Sequence, residues 1–216
     1  MRARLHAPVR RAAAMLLIAL AGASAAGAAP ADDHARGVQA YQRGDVVGAM
    51  RELGRAADAG YVPSQTMLAF ILDRADFAAD AARLYRAAAE RDDADGHAGL
   101  AGAYLTGRGI AKDEKAAWRH FSKAADLGHA ASIEQVADAH RLRRMPEGMD
   151  SPEAARAALL RAAERGHLAS IDALAQAHAS GAFGFAPDAA QAERWRARAE
   201  TLRRQRAGTP ATGSRP

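Results

Sequence analysis

The stretch GLAGAYLTGRGIAKDEKAAWRHFSKAADLGH, from Gly99 to His129, decides the fold class of this chain. Its ending, KAADLGH, recurs as RAAERGH from Arg161 and as RAADAGY from Arg55, and more loosely as RAAAERD at 86–92. Self-similarity at a nearly fixed period is the sequence signature of repeat proteins. The sequence is therefore interpreted as a tandem array of similar units.

An alanine followed by an acidic residue marks the same point in each unit. These alanines are Ala57, Ala89, Ala125, Ala163 and Ala199, separated by 32, 36, 38 and 36 residues. A larger apolar residue stands four positions before each of them: Leu53, Tyr85, Phe121, Leu159 and Trp195. Residues four apart share one face of a helix. Each unit is therefore predicted to contain a helix with one bulky residue and one alanine on its inner face.

A second apolar pattern precedes each of these helices. It begins after Gly60, Asp92, Gly128 and Gly166. Eight residues later stand Leu68, Leu100, Val136 and Leu174, each followed by an alanine. Glycine ends a helix readily because it adopts a positive φ without steric cost. We predict about five helix–turn–helix units, the first of them abbreviated. Ser151-Pro152 and Pro187-Asp188 are expected to start two of the later helices.

The third unit strongly resembles a Sel-one-like repeat, a variant of the tetratricopeptide repeat. The matching residues are Tyr104, Gly107, Gly109, Ile110, Asp113, Lys115, Ala116, Trp118, Ala124, Ala125, Asp126 and Gly128. The fifth unit retains Gly184, Phe185, Asp188 and Trp195. The second unit lacks the G-x-G turn, which predicts a shorter connection between its helices. The resemblance implies an all-α, right-handed, tetratricopeptide-like α-solenoid over residues 35–205.

The resemblance also implies that the first helix of each pair lines a concave surface that holds a partner. Counting along these helices selects positions outside the core pattern. The candidate partner-binding residues are Thr66, Phe70, Glu134, Asp138, Arg141, Asp172 and Gln176, beside the small residues Ala98 and Gly102. The set is apolar in its first half and acidic in its second, which suits an extended peptide or a glycan chain. The alternative is that these are ordinary solvated helix positions.

The two ends of the sequence differ from the repeats in composition. Residues 1–30 place arginines before the apolar run 12–21 and small residues after it, which is the order of a secretory signal peptide. A transmembrane anchor is the alternative, although the run is shorter than the about 20 residues that a spanning helix needs. Residues 206–216 are rich in Gly, Pro, Ser and Thr and are predicted to be a disordered tail. We therefore expect a periplasmic or secreted bacterial protein with no integral membrane segment after signal cleavage.

The net charge of +5 comes from the two ends of the chain. Between Asp32 and Glu200 there are 22 basic and 25 acidic residues, a balance of −3. A nucleic-acid footprint needs a basic face on the folded part, so none is expected. The arginines between Arg194 and Arg206 are interpreted as the outer face of a capping helix, with contact to acidic surfaces as the alternative. Because the sequence has no cysteine, the fold must be stable without disulfides.

Eight histidines raise the question of metal or acid–base chemistry. His129 and His167 occupy one repeat position, which the repeat pattern itself explains. His140 and His178 belong to units spaced about 10 Å apart, the distance between packed helices, which is too far to share one zinc ion. We therefore predict no catalytic residue, metal or cofactor, and a non-enzymatic protein–protein interaction scaffold or adaptor. The alternative is a cell-wall-related enzyme of the penicillin-binding or β-lactamase-like repeat type, although such relatives carry paired cysteines that this chain lacks.

Overall fold

A computed structural model describes residues 29–208, which form ten α-helices and no strand. The helices are α1 (Pro30–Gln42), α2 (Val46–Asp58), α3 (Val62–Arg74), α4 (Ala78–Ala89), α5 (Ala94–Thr106), α6 (Glu114–Asp126), α7 (Ala130–Arg141), α8 (Pro152–Glu164), α9 (Leu168–Ser180) and α10 (Ala189–Gly208). They follow one another as five helix–turn–helix pairs, which confirms the predicted all-α repeat. The first pair is not abbreviated, because both of its helices have 13 residues and α1 begins five residues before the predicted start at 35.

The described helices belong to two compact units. The first unit contains α1 to α6 and ends at His129, and the second unit contains α7 to α10 and begins at Ala130. Each helix–turn–helix pair within a unit is called a repeat. No helix within residues 29–208 is both long enough and apolar enough to cross a membrane.

The predicted alanine stripes lie in the cores of these units. The five marker alanines, Ala57, Ala89, Ala125, Ala163 and Ala199, are at most 6% exposed. Leu53, Phe121 and Leu159 are buried one turn earlier, whereas Tyr85 and Trp195 are only half-buried. Alanine adds little volume, so helices lined with it approach closely, and the bulky residue of each stripe fills the remaining space.

A second small-residue position lies four residues after the repeat boundary. Ser64, Ser132 and Ser170 occupy it and are fully buried. The third repeat has Gly96 instead, where an added Cβ would lie 2.6 Å from the Cβ of Ala88. The position therefore accepts only a small side chain, because two helices approach each other there. The recurrence of serine at this position is visible in the sequence.

The residues at the repeat boundaries adopt the left-handed conformation expected of them. The φ angles are 79° at Gly60, 93° at Gly128 and 82° at Gly166. Asp92 stands at the same boundary position of its repeat and has a φ of 55°. Asp tolerates this region better than most side chains, although at a cost that glycine avoids.

The G-x-G turn of the third repeat packs against the two helices of the second repeat. Gly107 ends α5 with a φ of 71°, and Gly109, also at 71°, lies so close to α4 that an added Cβ would be 2.0 Å from the carbonyl oxygen of Ala78. Between them, Arg108 donates from Nη2 to the carbonyl oxygen of Asp73 at 2.8 Å and from Nε to its carboxylate at 3.1 Å. The turn therefore closes the C-terminal end of α3. The second repeat has only three residues between its helices, whereas the third repeat has seven, as predicted.

Two predicted helix starts are confirmed in the second unit. Ser151 caps α8 by accepting a hydrogen bond at its Oγ from the N–H of Ala154. Asp188 precedes α10 and accepts hydrogen bonds from the N–H groups of Ala190 and Gln191. Both interactions satisfy amide donors that a helix leaves free in its first turn.

The C-terminal arginines of α10 bind back to the second unit. Arg198 and Arg206 donate to the carbonyl oxygens of Glu164 and Gly166, beside the end of α8. Arg203 forms an ion pair with Asp172 at 2.5 Å. These contacts support the interpretation of the basic cluster as a capping helix. Because α10 continues to Gly208, the first three residues of the predicted tail, 206–208, are helical. Residues 209–216, and residues 1–28 of the predicted signal peptide, lie outside the described part of the chain.

Candidate partner-binding groove

A groove of about 500 Å³ lies in the unit formed by α1 to α6. Its walls come from the first helices of three consecutive pairs, α1, α3 and α5, with added contributions from α4 and from the turn after α6. The lining residues are His34, Pro63, Thr66, Met67, Phe70, Tyr85, Asp93, Asp95, Ala98, Gly99 and His129. The first helix of each pair therefore lines the concave feature within this unit, as the resemblance implied.

Phe70 presents an aromatic ring to this groove. The residue is 44% exposed although its side chain is large and apolar. The ring of Tyr41 meets it edge-on at 6.5 Å between centroids, and the guanidinium of Arg74 lies 5.4 Å from its centroid. These two contacts hold the ring in place while a large part of it stays accessible.

Tyr85 reaches the groove because Gly99 has no side chain. A Cβ added to Gly99 would lie 2.3 Å from the Tyr85 ring, so the ring lies directly against the backbone of α5. The pKa of Tyr85 is raised to about 12, first by burial and then by the negative charges of Asp73 and Asp95. The phenol is therefore protonated at neutral pH.

Histidine and aspartate side chains border the apolar part of the groove. His34 contacts the Oγ of Ser64 through Nδ1 at 2.9 Å, and burial lowers its pKa. Asp93 caps α5 by accepting from the N–H of Gly96 at 2.7 Å. The carboxylate of Asp95 lies 3.5 Å from Nε2 of His129 and is 72% exposed. Among the described residues, the lining thus contains two carboxylates and no lysine or arginine.

Two of the predicted partner-binding residues meet in this groove. Phe70 and Thr66 both line it, one turn apart on α3. Thr66 is nevertheless buried, and its hydroxyl donates to the carbonyl oxygens of Val62 and Pro63. Of these two residues, only Phe70 therefore offers a large accessible surface to a partner.

The other five predicted residues lie in the second unit. Asp138 and Arg141 form a two-bond ion pair within α7, at 3.0 Å for each nitrogen. Asp172 is occupied by Arg203. Glu134 and Gln176 are exposed. The charges of three of the five are thus used inside the unit, and a partner-binding role for the set stays a prediction.

Comparison with known proteins places this geometry in a known fold. No family model matches the sequence, and no curated protein matches it. A Sel1 repeat protein from Oxalobacter formigenes is similar in structure with a TM-score of 0.59 and 24% identity, over 80% of this chain and 73% of that one. The protein c5321, a protective antigen present in uropathogenic Escherichia coli strains that displays an SLR fold, has a TM-score of 0.63 and 25% identity, over 80% of this chain and 38% of that one.

The chain is a repeat protein with the Sel1-like fold. The MamA protein is a more distant structural neighbour, with a TM-score of 0.50 and 15% identity over 86% of this chain and 98% of that one. The resemblance to a Sel-one-like repeat, drawn from the third repeat, is thereby confirmed. The Sel1-like architecture is a scaffold of stacked helix pairs, and such scaffolds present extended surfaces to partners.

A pair of contacting histidines in this Sel1-like protein was not anticipated from the sequence. Nδ1 of His97, on α5, lies 2.9 Å from Nδ1 of His120, on α6, and the Tyr104 ring stacks on His120 at 5.7 Å and 12°. Burial lowers the pKa of both histidines. Within residues 29–208, no group of three His, Asp or Glu side chains is placed to hold a metal ion. The two histidines are 23 residues apart and share no spacing motif, so only the packing of α5 on α6 reveals them.

His140 and His178 anchor the long connections of the second unit. His140 is buried, and its Nδ1 lies 2.8 Å from Oδ1 of Asp150 in the connection between α7 and α8. This hydrogen bond, followed by the one from Arg143, lowers the pKa of Asp150. His178 packs on Phe185, in the connection before α10, at 4.5 Å between ring centroids. Both side chains therefore fix a connection to the helix that precedes it.

Proposed function

We propose that this protein is a non-enzymatic interaction scaffold that is exported from a bacterial cell and holds an extended segment of a partner protein. The segment lies in the groove lined by α1, α3 and α5. One observation carries the proposal: three consecutive repeats contribute to a groove of about 500 Å³ in which Phe70 is 44% exposed.

The groove has the properties of a prepared binding surface. Aromatic side chains such as Phe70 and Tyr85 contribute much of the binding energy at protein interfaces, because they bury a large area with few rotatable bonds. Both rings are already held by neighbouring residues, so binding would order little more than the partner. The groove volume falls within the range of about 300–1,000 Å³ typical of ligand sites, which suits a short peptide segment.

Export is the second part of the proposal, and the sequence of residues 1–30 supports it. We expect mass spectrometry of the protein from the envelope fraction to show an N-terminus between residues 26 and 31, where small residues follow the apolar run. Full-length protein recovered from the cytoplasm, with Met1 retained, would contradict export. The groove proposal would not be affected by that result.

Site-specific photo-crosslinking tests the groove itself. A photoreactive phenylalanine analogue at Phe70 should capture a partner from envelope extract. The same analogue at Val47, an exposed residue of α2 outside the groove lining, is the matched control. The capture must also disappear when Met67→Glu is introduced, because a carboxylate on the groove wall opposes apolar contact. Equal capture from both positions, or capture that survives Met67→Glu, contradicts the proposed groove.

The enzyme alternative is tested by a different measurement. We expect no hydrolysis of nitrocefin by the purified protein above the rate in buffer. Hydrolysis that is lost on substitution of a single groove residue would overturn the scaffold proposal in favour of the β-lactamase-like alternative. A glycan that competes for the crosslink at Phe70 would keep the groove and change the class of partner.

A further inference from the structure

The charges around the groove are distributed unequally. Asp93 and Asp95 lie in its wall, and residues 29–208 contribute no lysine or arginine to the lining. His34 has a lowered pKa and is therefore mainly uncharged at neutral pH. His129 also borders the groove, and its Nε2 lies 3.5 Å from the carboxylate of Asp95. The side chain of Asp95 is still 72% exposed. The wall of α5 is accordingly the acidic side of the groove.

The pKa of Tyr85 reflects the same negative charges as well as burial. After burial, the charges of Asp73 and Asp95 are the causes that raise its pKa to about 12. A potential that disfavours a phenolate favours a cation at the same place.

Three nearby cations are engaged by other groups. Arg74 lies against the Phe70 ring, and Arg108 is bound to Asp73. Lys123 forms its ion pair with Asp92, at 2.9 Å, outside the groove lining. The carboxylate of Asp95 thus lacks a lysine or arginine partner among the described contacts, and an incoming cation would supply one.

The opposite side of the groove is apolar. Pro63, Met67 and Phe70 of α3 line it. Methionine adapts to different apolar shapes because its side chain is flexible and polarizable. A ligand that matches both walls must therefore carry a positive charge and an apolar group close together.

We propose that the occupant is an extended peptide segment in which a lysine or arginine side chain contacts Asp93 and Asp95 while a neighbouring apolar side chain packs on Met67 and Phe70. This inference rests on the proposed function and adds the chemistry of the partner to it. The backbone of the segment follows the groove between α3 and α5.

Selection from a random peptide library displayed on phage, with the full chain as bait, tests the inference. The enriched peptides are then synthesised with free ends blocked, each beside a version in which norleucine replaces the basic residue. Their affinities are measured by titration calorimetry for the wild type and for the variants Asp93→Asn/Asp95→Asn, Met67→Glu and Glu114→Gln. Asparagine retains the helix cap at position 93, and Glu114 is an exposed acid outside the groove that controls for overall charge.

The expected result is enrichment of peptides that carry lysine or arginine next to an apolar residue. The double asparagine variant should bind them about tenfold more weakly, because two exposed ion pairs are lost. The norleucine peptides should weaken similarly, and Glu114→Gln should change affinity less than about twofold. Added salt should weaken wild-type binding and have a smaller effect on the double variant.

Two other outcomes separate this inference from the proposed function. Peptides without a basic residue whose binding is lost in Met67→Glu would overturn the charge inference and leave the groove function in place. Enriched peptides that bind Met67→Glu as well as the wild type, or no enrichment at all, would contradict the groove function and the inference together. Melting curves of all variants, followed by circular dichroism, confirm that each one is folded.

Discussion

Nδ1 of His97 and Nδ1 of His120 lie 2.9 Å apart in the interior of the first unit. Two imidazoles that share one hydrogen bond need one nitrogen to donate and the other to accept, and a second charge on the pair would bring like charges together. Nε2 of His97 is buried without a hydrogen bond in the described residues and lies 3.8 Å from Asp92. The pair is therefore adapted to the neutral state.

This pair predicts that the protein loses stability on acidification. Burial is the main cause that lowers the pKa of both histidines below the ordinary value of 6.5. For His97, the charge of Asp92 opposes this shift and the charge of Lys123 adds to it. For His120, the charges of Arg119 and Arg86 add to the shift. The unfolded chain therefore binds protons first as pH falls. The stabilising contribution is complete above about pH 6.5 and is lost progressively below it. Urea unfolding from pH 7.5 to 5.0 should show the midpoint falling.

The variant His120→Gln isolates the contribution of the pair. It should show a smaller drop of the urea midpoint over the same pH range, because one buried titrating group is absent. Equal pH dependence in wild type and His120→Gln would contradict this account.

Gly109→Ala should strongly destabilise the first unit. The added Cβ would lie 2.0 Å from the carbonyl oxygen of Ala78, at a φ of 71°. A clash with backbone cannot be relieved by a rotamer change, so we expect a loss of about 2–4 kcal/mol in the free energy of unfolding. Gly44→Ala has a similar φ of 82° but open space around it, and should lose only about 1 kcal/mol. Similar losses in the two variants would show that the contact with Ala78 is unimportant.

Asp92 offers a test of the left-handed boundary position. Asp92→Gly and Asp92→Ala both remove the ion pair with Lys123, and they differ only in the Cβ atom at a φ of 55°. The alanine variant should therefore be less stable than the glycine variant by about 1 kcal/mol in urea unfolding. The opposite order would indicate that the backbone rearranges when the aspartate is removed.

Arg108→Gln should destabilise the first unit by about 1–1.5 kcal/mol, because it removes the hydrogen bonds to the end of α3. Arg83→Gln is the matched control, since Arg83 forms an exposed ion pair with Asp80 on its own helix and, among the described contacts, donates no hydrogen bond to a backbone carbonyl. That variant should change the unfolding free energy by less than about 0.5 kcal/mol. If Arg83→Gln were the more destabilising of the two, the role assigned to Arg108 would be wrong.

The candidate groove was only partly accessible from the sequence. Counting along α3 identified Phe70 and Thr66, because helical periodicity separates core from non-core positions. Tyr85 was assigned to the core stripe, and its half-buried place beside Gly99 follows from how α4 packs on α5. Asp93 and Asp95 were not among the positions that helical periodicity selected.

The sequence by itself determined the helix pairs, their buried alanines, the glycines of the boundaries and the caps at Ser151 and Asp188. These features depend on neighbours within a few residues, and periodicity and backbone preference act over that range. Only the tertiary structure decided that His97 meets His120, that Tyr85 crosses Gly99 and that an acidic wall faces an apolar one. Such contacts depend on how closely and at what angle two helices pack, and this depends on the volume of many side chains together.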